Sequence, residues 1–190
     1  MIPTVDQCLA LMEEYDMLEN IRAHSLVVEE VASLLARSLR EAGQGVALEK
    51  VSAGALLHDI AKTECLRTKE DHARKGKKIC LDHQLHEIAD IVAEHIVLAD
   101  FDSNHRVLEK EIVYYADKRV KHDEVVSLEE RLEYLLDHYG RNEKPLCDLI
   151  RKNFSVCKGV ERKIFSLLSF HPEDIALLIG RQAETDETSP

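Results

Sequence analysis

No C-x-x-C spacing occurs among the five cysteines, Cys8, Cys65, Cys80, Cys147 and Cys157. Their number is odd, so neither a thiolate zinc site nor a disulfide framework is expected. Basic residues are also scarce: 25 Lys and Arg stand against 36 Asp and Glu, a formal net charge of -11. A chain so charged has no general field for a polyanionic backbone, which argues against nucleic acid as a partner and means that a phosphate ligand would need local cations. No apolar run approaches the roughly 18–20 residues of a membrane span. The opening MIPTVDQCLALMEEYDM carries acidic residues where a secretory signal would be basic. No membrane partner is expected, and the cytoplasm is the expected compartment. Period-two alternation over a strand's length, internal repeats and low-complexity tracts are missing as well.

What the chain does have is helical periodicity. Of its 190 residues, 45% are hydrophobic and 32% charged, which suits a globular protein. Apolar residues recur at three and four almost throughout, predicting an all-α fold. The expected organisation is one helical domain over 1–180, with a core over about 18–123, a helical extension over 127–180 and a disordered tail over 181–190. Thr4 and Gln7 form a candidate capping box for a first helix ending near Asp16. A second helix spans about 20–42 and closes at Gly43-Gln44-Gly45. A third runs from Glu49 to Lys62, before a polar stretch from Thr63 to Asp71. Helices then follow over His72–Cys80, Leu85–Leu98 and Val107–His122. Ser127 and Glu130 form a second capping box, opening a helix that stops at Gly140. One further helix is marked by Leu149, Ile150 and Phe154, another by Val160, Ile164, Leu167 and Leu168. Pro172 suits the first turn of the last.

Ten histidines are many for this length, and several interrupt apolar stripes. On a helix, positions three, four and seven apart share a face. His24 lies three before Val27, four before Val28 and seven before Val31, on the buried side. His58 shares a face with Val51, Gly54 and Ala55 in VSAGALLHDIAK, and Asp59 adjoins it. Asp117 falls four after Val113 and three before Val120 in EIVYYADKRV. Two carboxylates are thus directed to an apolar interior, where an uncompensated charge costs several kcal/mol or is neutralised by protonation. A basic partner for each acid is one remedy; a shared cation is the other. Imidazoles and carboxylates from separate helices suit a divalent metal, with Mn²⁺, Fe²⁺ or Mg²⁺ competing with Zn²⁺.

The order His24, then LLHDIAK, then YYADKRV resembles the HD superfamily of metal-dependent phosphohydrolases, whose signature is H...HD...D on a helical bundle. The resemblance covers about residues 18–123. It implies that His24, His58, Asp59 and Asp117 bind one metal, and that His72 and His95 occupy the places where a bimetallic subset holds a second. The His72-Gly76 spacing also resembles that subset, which includes diiron hydrolases of symmetrical dinucleoside tetraphosphates. The resemblance further implies that Asp59 bridges the ions and that a metal-activated hydroxide attacks phosphorus. Lys62, four residues after His58, would then neutralise a phosphate oxygen, or else only offset a helix dipole. His95 shares a face with Ile88, Ile91 and Val92, with His86 opposite. His83 remains an alternative to His72.

Bland readings compete at each position. A lone buried histidine is more often a hydrogen-bonded core residue than a ligand. The second HD pair, His122-Asp123, reads as solvated surface at a helix end. His86-Glu87 fails the H-E-x-x-H spacing at Asp90. Arg22, Lys118, Arg119 and Lys121 read as surface cations. The resulting expectation is a phosphohydrolase using one or two divalent ions, with Fe, Mn, Mg or Zn as the metal and no organic cofactor. Its substrate would be a small phosphorylated molecule, a nucleotide by preference; a homodimer is compatible with this reading. A diiron oxygenase and a non-catalytic nucleotide sensor are the alternatives.

Overall fold

The computed structural model describes residues 1–140 and 143–180; the tail assigned to 181–190 lies outside them. Among the described residues are nine α-helices and one small hairpin. The helices are α1 (Val5–Glu14), α2 (Glu19–Glu41), α3 (Leu48–Leu57), α4 (Lys62–Thr68), α5 (His72–Asp82), α6 (His86–Glu94), α7 (Glu109–Lys118), α8 (Leu128–Tyr139) and α9 (Lys144–Phe165). The hairpin pairs β1 (Val120–Lys121) with β2 (Glu124–Val125), antiparallel. The fold is the all-α bundle that apolar periodicity predicts.

Both capping boxes form. Gln7 N–H donates to Thr4 Oγ1 at 3.3 Å while Thr4 N–H donates to Gln7 Oε1 at 2.9 Å. Ser127 and Glu130 repeat the exchange at 2.8 and 3.1 Å. Each pair satisfies backbone donors that a helix start leaves open. Past α2, Gly43 takes φ +83, the left-handed exit that glycine allows. The core is one continuous cluster in which α2 packs on α3 and α7, α5 on α6, and α3 on both α6 and α7.

Three expected boundaries are corrected. The segment Glu49–Lys62 is not one helix: α3 ends at Leu57, His58 caps it, and the chain turns before α4 starts at Lys62. The supposed polar stretch therefore contains a helix, whose Cys65 is buried. Residues 107–122 likewise divide into α7 and the hairpin, with His122 at φ +57 in the turn. At the far end, the two helices expected around Phe154 and Ile164 are a single one, α9, with proline in its first turn. No helix among the described residues is long and apolar enough to cross a membrane.

Candidate metal centre

Four imidazoles stand in a row at the centre of the bundle. Ring centroids are 5.4 Å apart for His24 and His58, 4.9 Å for His58 and His95, and 5.2 Å for His95 and His72. His24 comes from the second turn of α2, His58 from the end of α3, His72 from the start of α5, and His95 from the residue after α6. His24, His58 and His95 are buried, whereas His72 is partly exposed. Asp59 sits in the turn between α3 and α4, fully buried, and Asp117 on α7 is nearly so. All six residues singled out as candidate ligands converge. They form two overlapping groups, His24-His58-Asp59 and Asp59-His72-His95, each with ligand atoms within 4.8 Å of one another. Asp117 joins the first, its Oδ1 lying 3.1 Å from His24 Nε2 and 3.7 Å from His58 Nε2.

Backbone carbonyls fix the tautomers. Nδ1 of His58 donates to Ala55 O at 2.6 Å, Nδ1 of His95 to Val92 O at 2.6 Å, and Nδ1 of His24 to His122 O at 2.8 Å. A carbonyl oxygen only accepts, so each Nδ1 carries hydrogen and each neutral ring turns an Nε2 lone pair inward. There the lone pairs meet carboxylate oxygens, which also only accept. His95 Nε2 lies 3.5 Å from Asp59 Oδ1; His72 Nε2, whose ring no carbonyl contact orients among the described residues, lies 3.2 Å from the same oxygen. His58 Nε2 lies 3.4 Å from Asp59 Oδ2. Both Asp59 Oδ1 and His58 Nε2 are buried without a hydrogen-bond partner. Acceptors facing acceptors in a buried site require a proton or a cation between them.

Each acid does have its own lysine, the arrangement that would make a metal unnecessary if it neutralised them completely. Lys62 Nζ is 2.6 Å from Asp59 Oδ2, and Lys118 Nζ is 3.0 Å from Asp117 Oδ2. Only one oxygen of each carboxylate is engaged in this way. The other, Oδ1, faces imidazoles in both cases. The lysines therefore offset charge without filling the coordination positions, and the donor set fits a divalent ion.

Charge states follow the same geometry. Burial works against ionisation of Asp59, but His58 and Lys62 prevail and hold its carboxyl well below the usual range. Burial is likewise overcome at Asp117, by Lys118 and His24. Burial opposes a charge on His58 too, yet Asp59 and Asp117 raise its pKa. His95 goes the other way: burial, with His58 beside it, pushes the ring down to about 4.

Several expectations need revision. His83 caps the far end of α5 and bonds to Tyr15 Oη at 2.9 Å, so the geometry brings His72, not His83, to the cluster. Lys118 and Arg119 are buried, not surface cations. Lys118 also donates to His95 O, and Arg119 spans Val126 O at 2.6 Å and Pro172 O at 3.0 Å. The signal was available, since Lys118 falls four after Tyr114 and seven after Glu111, both buried. His122 and Asp123 are exposed as expected. They form a hairpin turn in place of a helix end, and the His122 carbonyl orients His24.

A buried cluster of imidazoles and carboxylates on a helical bundle is a donor set that can hold a divalent metal. The family model described as HD domain matches residues 21–121, and the chain belongs to that family, whose members are in general metal-dependent hydrolases. Comparisons with curated proteins and with solved structures return no match.

Proposed function

We propose that this chain is a metal-dependent phosphohydrolase acting on a phosphoester or phosphoanhydride of a small molecule, with nucleotides as the substrate class. His24, His58, Asp59 and Asp117 would hold one divalent ion, and Asp59, His72 and His95 a second. The observation that carries this reading is the shared carboxylate, Asp59, whose Oδ1 is buried and unpartnered amid inward-facing imidazole nitrogens. When bound, such ions polarise phosphoryl oxygens and acidify water. Lys62 and Lys118 line the adjoining cavity, where cations offset charge that gathers on phosphoryl oxygens in the transition state. Asp59 keeps Lys62 charged, and Asp117 holds Lys118 in place at 3.0 Å.

The test is metal analysis together with a nucleotide screen on chain reconstituted with Fe, Mn, Mg or Zn. The expected result is up to two ions per chain and phosphate release that falls about a hundredfold or more in Asp59→Ala, as loss of a metal ligand implies. Oxygen consumption without phosphate release would replace this reading with the diiron oxygenase. Nucleotide binding without turnover would replace it with the sensor.

A further inference from the structure

The cavity beside the cluster measures about 440 Å³ and has two kinds of wall. One kind comes from the HD region and carries the metal-site residues with Lys62 and Lys118. The other is supplied by helices beyond residue 121, as Arg131, Leu135 and Tyr139 from α8 and Leu146, Ile150, Asn153 and Phe154 from α9. Five of those seven side chains are apolar or aromatic.

Most polar groups facing this space are already engaged. Lys62 and Lys118 face Asp59 and Asp117. Glu70 holds Lys75 at 2.8 Å. Asn153 donates to Ile96 O at 2.8 Å and accepts from Tyr114 Oη at 2.8 Å. Arg131 differs: its Nε is buried with no hydrogen-bond partner, and its guanidinium lies over the Tyr134 ring at 5.5 Å. A guanidinium never loses its charge, and its planar fork matches a phosphate. Because Lys62 and Lys118 are each balanced by a carboxylate, Arg131 is the cavity cation that no carboxylate pairs among the described residues, and so the one available to an anion.

We propose that Arg131 binds a second phosphate group of the substrate, next to the one hydrolysed, while the apolar wall of α8 and α9 receives the organic portion. The substrate is then an organic diphosphate or longer phosphoanhydride, selected by the helices that follow the HD region. Selection of the organic group works through apolar area and stacking, because that wall offers few free polar groups for reading a base. This inference rests on the phosphohydrolase reading above.

The experiment compares wild-type, Arg131→Ala and Arg131→Lys, all metal-loaded, on ADP, CDP and AMP, with calorimetric binding of methylenediphosphonate in parallel. KM for ADP and CDP rises about 10- to 100-fold in Arg131→Ala, as loss of charge-assisted hydrogen bonds implies. The rise for AMP is smaller, and Arg131→Lys recovers part of the loss. Turnover of ADP with KM unchanged in Arg131→Ala, or an equal rise for ADP and AMP, overturns the role of Arg131 and leaves the hydrolase standing. A strong preference for CDP over ADP, the smaller base over the larger, overturns the apolar selection. Methylenediphosphonate binding that Arg131→Ala weakens, without turnover of any nucleotide, retains the anion site and sinks the hydrolase. If the alanine variant loses its helical circular dichroism, the neutral, polar Arg131→Gln decides: an ADP KM equal to wild-type overturns the proposal.

Discussion

His58 sits where α3 ends, with Nδ1 tied to Ala55 O and Nε2 turned to two carboxylates. Burial disfavours its charged form, but Asp59 and Asp117 raise its pKa, so the metal-free ring keeps a proton to higher pH than a free imidazole. A metal ion and that proton compete for one lone pair. Metal binding is therefore expected to release a proton from this residue at any pH where the ring is still charged, and affinity to rise with pH until the folded-state pKa is passed. His95, pushed down to about 4, has none to give. Calorimetry in two buffers of different ionisation heat measures the release. Affinity that stays flat between about pH 6 and pH 8 would show that no bound proton is displaced. At this scale the sequence was informative about which residues matter, because burial of a polar group shows in its spacing from apolar neighbours. It was less informative about pairing: the Lys118 contact to the His95 carbonyl depends on where α7 lies against the end of α6.

α5 and α6 bring His72 to His95, with 3.3 Å between their Nε2 atoms. Their spacing depends on Gly76, one turn after His72. A Cβ there would come within 2.8 Å of Val92 Cγ1, and Val92 is β-branched with little freedom to move aside. Gly76→Ala is expected to cost about 1–3 kcal/mol by overpacking and to part the two imidazoles. Metal content should then fall more in the Asp59-His72-His95 group than in the His24 group, a difference that metal stoichiometry in Gly76→Ala beside His72→Ala can read. Two-ion loading retained in Gly76→Ala would count against the spacing argument. Element boundaries were harder to read than element types. Apolar periodicity runs unbroken from Val51 to Ala61, so it does not reveal that the chain turns after His58. That turn lets adjacent His58 and Asp59 face one site, which neighbouring positions on a straight helix, about 100° apart, do less readily. The hairpin after α7 was hidden because its strands are two residues each, too short for alternation to show.

Across the whole molecule, α9 is fastened to the HD region by buried polar contacts as well as apolar ones. Lys163 Nζ meets both carboxylate oxygens of Glu111 at 2.8 Å and Asp102 O at 2.9 Å. Tyr115 Oη donates to Glu161 at 2.7 Å, and the edge of Phe101 fills the space over Gly159, where a Cβ would meet Cε1 at 2.8 Å. Glu111 also accepts from Leu108 N–H at 2.9 Å, closing the start of α7, the helix that ends in Asp117 and Lys118. One buried carboxylate thus links the C-terminal helix to the helix that supplies part of the metal site. Replacing a buried partner leaves the other charge uncompensated, which costs about 3–5 kcal/mol, more than any apolar gain from the new side chain. Lys163→Met is therefore expected to lower stability by about that amount in urea unfolding, while Glu111→Gln with Lys163→Met restores a large part of it. If the single variant proves as stable as wild-type, the pair does not clamp α9, and the wall that α9 gives the cavity must be held by its apolar contacts alone.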